Sequence, residues 1–260
     1  MLLLGFCGSL TTFSGWQLDI FNSWINAGQF HRGGLRDVRL VLLSINLNPY
    51  PFFSIQFMDG LAKSVFTLVV SLGSVAFGIQ LAVVIAPRLP AVPSPNRSVQ
   101  YTLTIISLLS YGAVFPTYFL LSADFRHQAT AALLFAFPGT LTRYLLSLRL
   151  NTLMKAIPLG TLTANLMGTA FLGAFHVIQD LSQDPVSSGA CAILQGLSDG
   201  YCGCLTTVST FAVEVRDLKL WKGFRYAFIS WTMGQLLLLV ILGPSFWTRH
   251  AHEQMTCRFA

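Results

Sequence analysis

Apolar residues fill the chain in long stretches that short polar segments separate. A stretch of about 20 apolar residues is long enough to cross a bilayer as a helix. The pattern predicts such spans at about 61–86, 101–122, 128–149 and 156–179, and a last helix that ends at Gly243-Pro244. The fold prediction is therefore an all-α membrane protein.

Proline and polar residues set the predicted boundaries of these spans. Pro87 ends the helix at 61–86, and the proline-rich residues 88–99 form a linker. Residues 29–60 are predicted as a loop with aromatic side chains at headgroup level, and Pro116 interrupts the span that contains it.

One motif occurs twice. Residues 5–19 begin Gly-Phe-Cys-Gly-Ser-Leu-Thr-Thr-Phe-Ser, and residues 200–214 begin Gly-Tyr-Cys-Gly-Cys-Leu-Thr-Thr-Val-Ser, with Asp19 opposite Glu214. Closely spaced glycines and hydroxyls favour discontinuous membrane helices, which are stable where protein or a cavity surrounds the break. Small residues that let two helices approach closely are the alternative. The fixed spacing in both copies favours breaks, which we expect near the middle of helices at about 1–28 and 190–215.

The duplication extends to the helix that follows each motif. Ser230 and Gly234 in the last helix match Ser74 and Gly78, and the span at 101–122 belongs to neither copy. We interpret this order as an inverted repeat, a pseudo-dimer of four-helix domains with broken central helices. The predicted domains are a partial first domain at 1–87, a linker with one transmembrane helix at 88–126, a complete second domain at 127–246 and a polar tail at 247–260.

Composition supports a membrane protein and argues against nucleic acid as a partner. Residues are 53% hydrophobic and 10% charged, whereas soluble domains average about 25% charged residues. The net charge of +6 is spread through loops, which positive-inside topology explains better than a binding patch. Cys202 and Cys204 suit small packing residues better than a metal pair, because no second pair or histidine accompanies them. The loops predicted to be cytoplasmic carry Arg149, Lys155, Arg216, Lys219, Lys222 and Arg225.

Two polar residues inside predicted spans are candidate functional groups. Asn165 lies mid-span and Arg143 lies within the preceding span. A polar group that faces lipid is unfavourable, so both side chains are expected to have a partner or a function. The alternatives are that Arg143 extends to the interface and that Asn165 only bonds a neighbouring helix. Serine and cysteine in the spans lack a nearby histidine and carboxylate, so we do not expect an enzyme.

Three motifs in one order resemble the Fluc/FEX fluoride channels. They are the Gly-x-x-Gly-x-x-Thr-Thr run with its Phe-Ser, the Gly-Thr-Leu-x-x-Asn helix and the Arg-Tyr helix, within about 1–28, 61–86 and 128–245. The two-domain layout with a linker helix resembles the eukaryotic exporters. The resemblance implies a multi-pass plasma-membrane channel that passively exports F⁻ from the cytosol.

The resemblance also implies roles for single residues. A central structural Na⁺ would take backbone carbonyls at the helix breaks, and F⁻ would pass between aromatic edges and neutral amide or hydroxyl donors. Each motif copy keeps one phenylalanine of the family pair, beside Trp16 or Val208, so two unequal pathways are expected. The implied Na⁺ site comprises Gly8, Thr11, Gly203 and Thr206. The implied anion path comprises Asn165, Phe211, Phe13, Ser230, Thr207 and Thr12. The implied structural polar residues are Arg143 and Glu214.

One departure from the family pattern qualifies the function. Ahead of residue 5 there is no room for the first two helices of a family domain, so the first domain is expected to lack its own Arg-Tyr and Gly-Thr-Leu-x-x-Asn helices. Two alternatives to a conducting fluoride channel therefore stand beside it: a non-conducting truncated member, and a secondary transporter for another small ion. The scarcity of carboxylates within the spans disfavours the transporter.

Overall fold

The structure is a computed structural model of the chain. It describes residues 8–25, 52–88, 96–121, 131–154, 157–180 and 186–247, and every regular element in these ranges is helical. The first part contains α1 (Phe13–Ile25), α2 (Phe52–Ile85) and α3 (Arg97–Leu120). The second part contains α4 (Ala131–Leu150), α5 (Leu159–Gln179), α6 (Ser188–Gly196), a π-helical segment (Leu197–Cys202), α7 (Gly203–Leu205), α8 (Val208–Asp217) and α9 (Leu220–Trp247).

Within these ranges, five helices are long and apolar enough to cross a membrane. This confirms the all-α membrane fold. The five candidate spans are Met58–Arg88, Arg97–Leu120, Ala131–Leu150, Leu159–Gln179 and Leu220–Ser245.

Both predicted helix breaks are present. After α7, Thr206 and Thr207 adopt extended backbone conformations, and α8 starts at the next residue. The Thr207 hydroxyl caps α8 by accepting a hydrogen bond from Thr210 N at 3.3 Å. In the first copy residues 8–10 are helical, the next two are not, and Thr12 Oγ1 accepts from Gly15 N at 3.4 Å ahead of α1. Equivalent threonines therefore cap the helix after each break.

Several predicted boundaries are wrong. The helix α2 begins at Phe52, inside the predicted loop, because no helix breaker occurs before Gly60 and the sequence is apolar. The helix α3 runs through Pro116, and α9 continues through Pro244 to Trp247. A long membrane helix tolerates the loss of one backbone hydrogen bond at a proline. Next to Pro116, Thr117 Oγ1 donates to Ala113 O at 2.7 Å. The rest of the predicted loop, residues 26–51, lies outside the described residues.

Two buried clusters join the halves of the molecule. Both contain side chains of α1 together with side chains of α8, α9 or the segment between α6 and α7. The first cluster comprises Phe13, Trp16, Ile20, Val208, Phe211, Tyr226 and Ala227. The second comprises Leu18, Phe21, Leu172, Cys202, Leu238 and Leu242.

The outer helices of the two halves are covered unequally. The helix α9 packs against α5, and Ser230 is buried. The corresponding Ser74 in α2 is exposed, and a Cβ at Gly73 or Gly78 would have no atom within 4 Å. The Ser-x-x-x-Gly correspondence therefore holds in sequence but not in packing, because no described helix takes the place of α5 beside α2.

Candidate functional site

The two helix breaks meet and cap each other. Thr206 Oγ1 accepts hydrogen bonds from Phe13 N at 3.1 Å and from Ser14 N at 3.2 Å, the first amides of α1. Thr11 Oγ1 accepts from Ser209 N at 3.0 Å, near the start of α8. In the sequence repeat Thr11 corresponds to Thr206 and Ser14 to Ser209. These reciprocal bonds join equivalent positions of the two copies and satisfy amides that each helix start leaves without a partner.

Hydroxyl groups fill the point where the breaks meet. Thr206 Oγ1 donates to Cys202 O at 3.0 Å, so Thr12 donates in its 2.9 Å contact with Thr206 Oγ1. Ser14 Oγ lies 3.1 Å from both hydroxyls. The hydroxyls of this polar centre are largely paired with one another.

Asn165 clamps the second break. Its Oδ1 accepts from Thr207 N at 2.8 Å, and its Nδ2 donates to Thr207 O at 3.2 Å. Both residues are buried. The peptide groups at a break have no intrahelical partners, so this amide replaces the bonds that a continuous helix would make. One N–H of the Asn165 amide remains for another acceptor.

Arg143 fixes the segment before the first break. It is buried in α4, and its Nη1 donates to Gly8 O at 2.6 Å, with Nη2 at 3.4 Å from Ser9 Oγ. The interpretation that Arg143 extends to the membrane interface is therefore wrong. At the equivalent position of the second copy, a Cβ on Gly203 would meet only Ser198 O, at 4.0 Å, so no described side chain takes the corresponding place.

The phenylalanine retained by each motif copy contacts the other. The rings of Phe13 and Phe211 lie edge to face with centroids 5.5 Å apart, and both are completely buried. Phe13 also meets the edge of Trp16 at 5.4 Å. In the sequence repeat Phe13 corresponds to Val208, and Phe211 corresponds to Trp16. The two copies therefore cross so that the first aromatic position of the first motif contacts the second aromatic position of the second motif.

A polar group lies beside this aromatic pair. The Phe211 ring is 5.3 Å from the Tyr226 ring, and Tyr226 Oη donates to Glu214 Oε2 at 2.9 Å. Thr161 Oγ1 donates to the other carboxylate oxygen of Glu214 at 2.6 Å, and Ser230 Oγ donates to Tyr226 O at 2.8 Å. Neutral donors from α5 and α9 thereby surround the Glu214 carboxylate.

Comparison with known proteins places the chain in a family. Residues 130–243 match the family described as CrcB-like protein, Camphor Resistance (CrcB). The fluoride-specific ion channel FluC of Escherichia coli is 39% identical over 111 residues, which cover 42% of this chain and 83% of that protein. The chain belongs to the CrcB-like (Fluc/FEX) family.

Fungal members of the family resemble nearly the whole chain. Proteins named fluoride export protein 1 from Neurospora crassa and Candida albicans are 34% and 31% identical, and each alignment covers 95% of this chain. The alignments cover 48% and 61% of those two proteins, so the chain spans about half to three-fifths of their length. No solved structure gives a significant match.

Sequence reasoning missed several polar residues near the predicted family positions. Thr161 lies one helical turn before Asn165, and Tyr226 lies one turn before Ser230, so the spacing i, i+4 was the available signal. Gln17 and Gln235 are both buried and hydrogen-bonded to each other across the two halves. These glutamines lie outside the recurring residues of the motif, so the repeat gave no signal for them.

The oxygen groups at the helix breaks are of the chemical type that binds Na⁺. The Thr12 and Thr206 hydroxyls approach to 2.9 Å where the breaks meet, and oxygen is the ligand that hard cations take. The Gly8 carbonyl already accepts the Arg143 guanidinium, which puts a fixed positive charge at that carbonyl. The Gly8 carbonyl is therefore already engaged by another group.

Proposed function

We propose that the chain forms a fluoride-selective channel that exports F⁻ from the cytosol across the plasma membrane. The support is its family, whose members in Escherichia coli and fungi are named fluoride channels and fluoride export proteins. The proposal includes the inverted pseudo-dimer and the domain division at 1–87, 88–126, 127–246 and 247–260. It also includes a structural Na⁺ held by carbonyls of Thr11, Gly203 and Thr206, with Gly8 shared with Arg143.

The contact of Phe13 with Phe211 is the observation that carries this proposal. Of two pathways that the duplicated motif would supply, one combines both phenylalanines and the other combines Trp16 with Val208. Aromatic edges carry partial positive charge and stabilise an anion without trapping it, as a fixed cation would. We therefore assign conduction to the pathway with the two phenylalanines, next to Tyr226.

Neutral donors along this pathway would replace the water that F⁻ loses. The remaining N–H of Asn165 lies at the break before Phe211. The hydroxyls of Tyr226 and Ser230 on α9 each have one O–H, which would turn to F⁻ from the Glu214 carboxylate and the Tyr226 carbonyl, respectively. Thr207 and Thr12 place hydroxyls at the two breaks, where each accepts a hydrogen bond that caps its own helix. The Thr12 O–H would turn to F⁻ from Thr206 Oγ1. Neutral donors of this kind bind a small anion and still release it.

A non-conducting member is the second candidate, and the uncovered face of the first half favours it. In the described residues, Arg143 covers Gly8, whereas nothing covers Gly203, and α2 lacks a neighbour equivalent to α5. Polar backbone that faces lipid is destabilising. The missing cover would have to come from a helix pair that carries an arginine and an asparagine like those of α4 and α5.

Rescue of a fluoride-sensitive cell tests the proposal. Expression of the chain should restore growth in fluoride and lower intracellular F⁻, and Phe211→Ala should abolish the rescue at equal membrane expression. Growth no better than an empty vector, with the protein present in the membrane, would contradict export and support the non-conducting alternative.

A further inference from the structure

Gln17 and Gln235 form a buried amide pair between the two halves of the molecule. Gln235 Nε2 donates to Gln17 Oε1 at 2.7 Å and to Gln17 O at 2.9 Å. The two residues are 0% and 6% exposed. In the sequence repeat Gln17 corresponds to Ala212, so the second copy has no equivalent amide.

The geometry of this pair leaves one donor group without a partner. A side-chain amide nitrogen has two N–H donors, and Gln235 uses both on Gln17. The Gln17 side-chain oxygen is thereby committed to Gln235, and Gln17 Nε2 takes no part in the pair. Gln17 Nε2 and Gln235 Oε1 are both buried and have no hydrogen-bond partner among the described residues. A buried amide donor without a partner is unfavourable, so its retention calls for a ligand or a water molecule.

The Gln17 amide lies next to Gly234, in line with two polar side chains on the same face of α9. Tyr226, Ser230 and Gly234 follow at intervals of four residues on one face of that helix. The first two carry hydroxyls, whereas at the third a Cβ would lie 2.9 Å from Gln17 Oε1. Gly234 thus leaves room for an amide from the other half where α9 itself has no side chain. On α1, Gln17 lies one helical turn after Phe13, on the same face.

We propose that Gln17 is an anion-coordinating residue, which donates an N–H from the first half to a small anion beyond the Phe13–Phe211 pair. Gln235 is a positioning residue that holds the Gln17 amide with its nitrogen outward. The ligand class is a small, strongly hydrated inorganic anion, because a neutral N–H donor in a buried site suits such a ligand. This inference rests on the proposed function, since F⁻ is the anion that the pathway would carry.

Fluoride binding by the purified full chain tests the inference separately from conduction. Gln17→Met keeps the length of the side chain and removes its donors, and Gln17→Glu keeps the oxygen that accepts from Gln235. Binding is measured by ¹⁹F NMR titration with NaF in detergent, and efflux by a fluoride electrode on proteoliposomes. The matched control is Gln179→Met, which changes another completely buried glutamine, one that lies away from Phe13 and bonds Gln195.

We expect each Gln17 variant to weaken fluoride binding at least about tenfold, the typical effect of losing a hydrogen bond to a charged group. Gln17→Met should unfold at a temperature close to that of Gln179→Met, and the control should bind fluoride as the unchanged chain does. Unchanged binding in the Gln17 variants, with lowered thermal stability alone, would overturn the inference and assign the amide pair a purely structural role. If the unchanged chain bound F⁻ but did not pass it, conduction would fail and the Gln17 assignment would still be decided by binding. A chain that neither bound nor passed F⁻ would refute both.

Discussion

Two substitutions of Asn165 should affect stability and conduction to different extents. In Asn165→Ala, Thr207 loses the partner of its N–H at 2.8 Å and the partner of its carbonyl at 3.2 Å, and both groups are buried. Each unsatisfied backbone group costs about 1–3 kcal/mol, so the free energy of unfolding should fall by about 4 kcal/mol. Asn165→Asp keeps an acceptor for the Thr207 N–H and loses only the donor, so its cost should be about half as large. Its carboxylate also places a repelling charge at mid-span.

The two variants are compared by unfolding in mixed micelles and by cell rescue. Asn165→Asp should reach the membrane in near-normal amounts and yet fail to rescue, whereas Asn165→Ala should show a clear loss of stability. Thr169→Val is the control, because Thr169 Oγ1 donates only to the helical carbonyl of Asn165 at 2.7 Å and its removal should change stability little. Normal F⁻ efflux from Asn165→Asp would remove Asn165 from the pathway. Unchanged stability of Asn165→Ala would refute the clamp.

Three further predictions concern the aromatic pair, the arginine and the uncovered face. Phe211→Ala should reduce fluoride flux more than Trp16→Ala in a proteoliposome assay, and equal losses would mean that both aromatics line equivalent pathways. Arg143→Leu leaves the Gly8 carbonyl unsatisfied and should lower the free energy of unfolding by about 1–3 kcal/mol. Arg143→Lys should cause a smaller loss, and equal stability of the unchanged chain and both variants would contradict the Arg143–Gly8 hydrogen bond. A prepended helix pair with Arg-Tyr and Gly-Thr-Leu-x-x-Asn should raise both thermal stability and F⁻ efflux, and no gain in either would contradict a need for cover at Gly203.

The sequence predicted the features that depend on local chemistry. Glycines and hydroxyls that recur at fixed spacing indicated both breaks, since such residues weaken a helix and can satisfy its freed backbone groups. Asn165 and Arg143 stood out because polar groups are unfavourable in apolar spans. Their partners, Thr207 and Gly8, were not predictable, because these contacts depend on how separate helices pack.

The errors and omissions have a common physical origin. Pro116 was predicted to interrupt its span and Pro244 to end the last helix, yet a single proline removes one backbone bond that a long membrane helix can spare. Gln17 and Gln235 are far apart in sequence, and neither recurs in the duplicated motif. The buried amide pair appears only when α1 is packed against α9, and the reciprocal caps at the breaks appear only when the two copies cross.

Fluoride efflux from proteoliposomes that contain the purified chain tests the central proposal most directly. Liposomes loaded with KF and diluted into fluoride-free medium, with a potassium ionophore to remove the voltage, should release F⁻ within the time of an electrode recording and retain Cl⁻ when loaded with KCl. Phe211→Ala should abolish the release. Retention of F⁻ by the unchanged chain, or equal release of both halides, would contradict a fluoride-selective pathway at the Phe13–Phe211 contact.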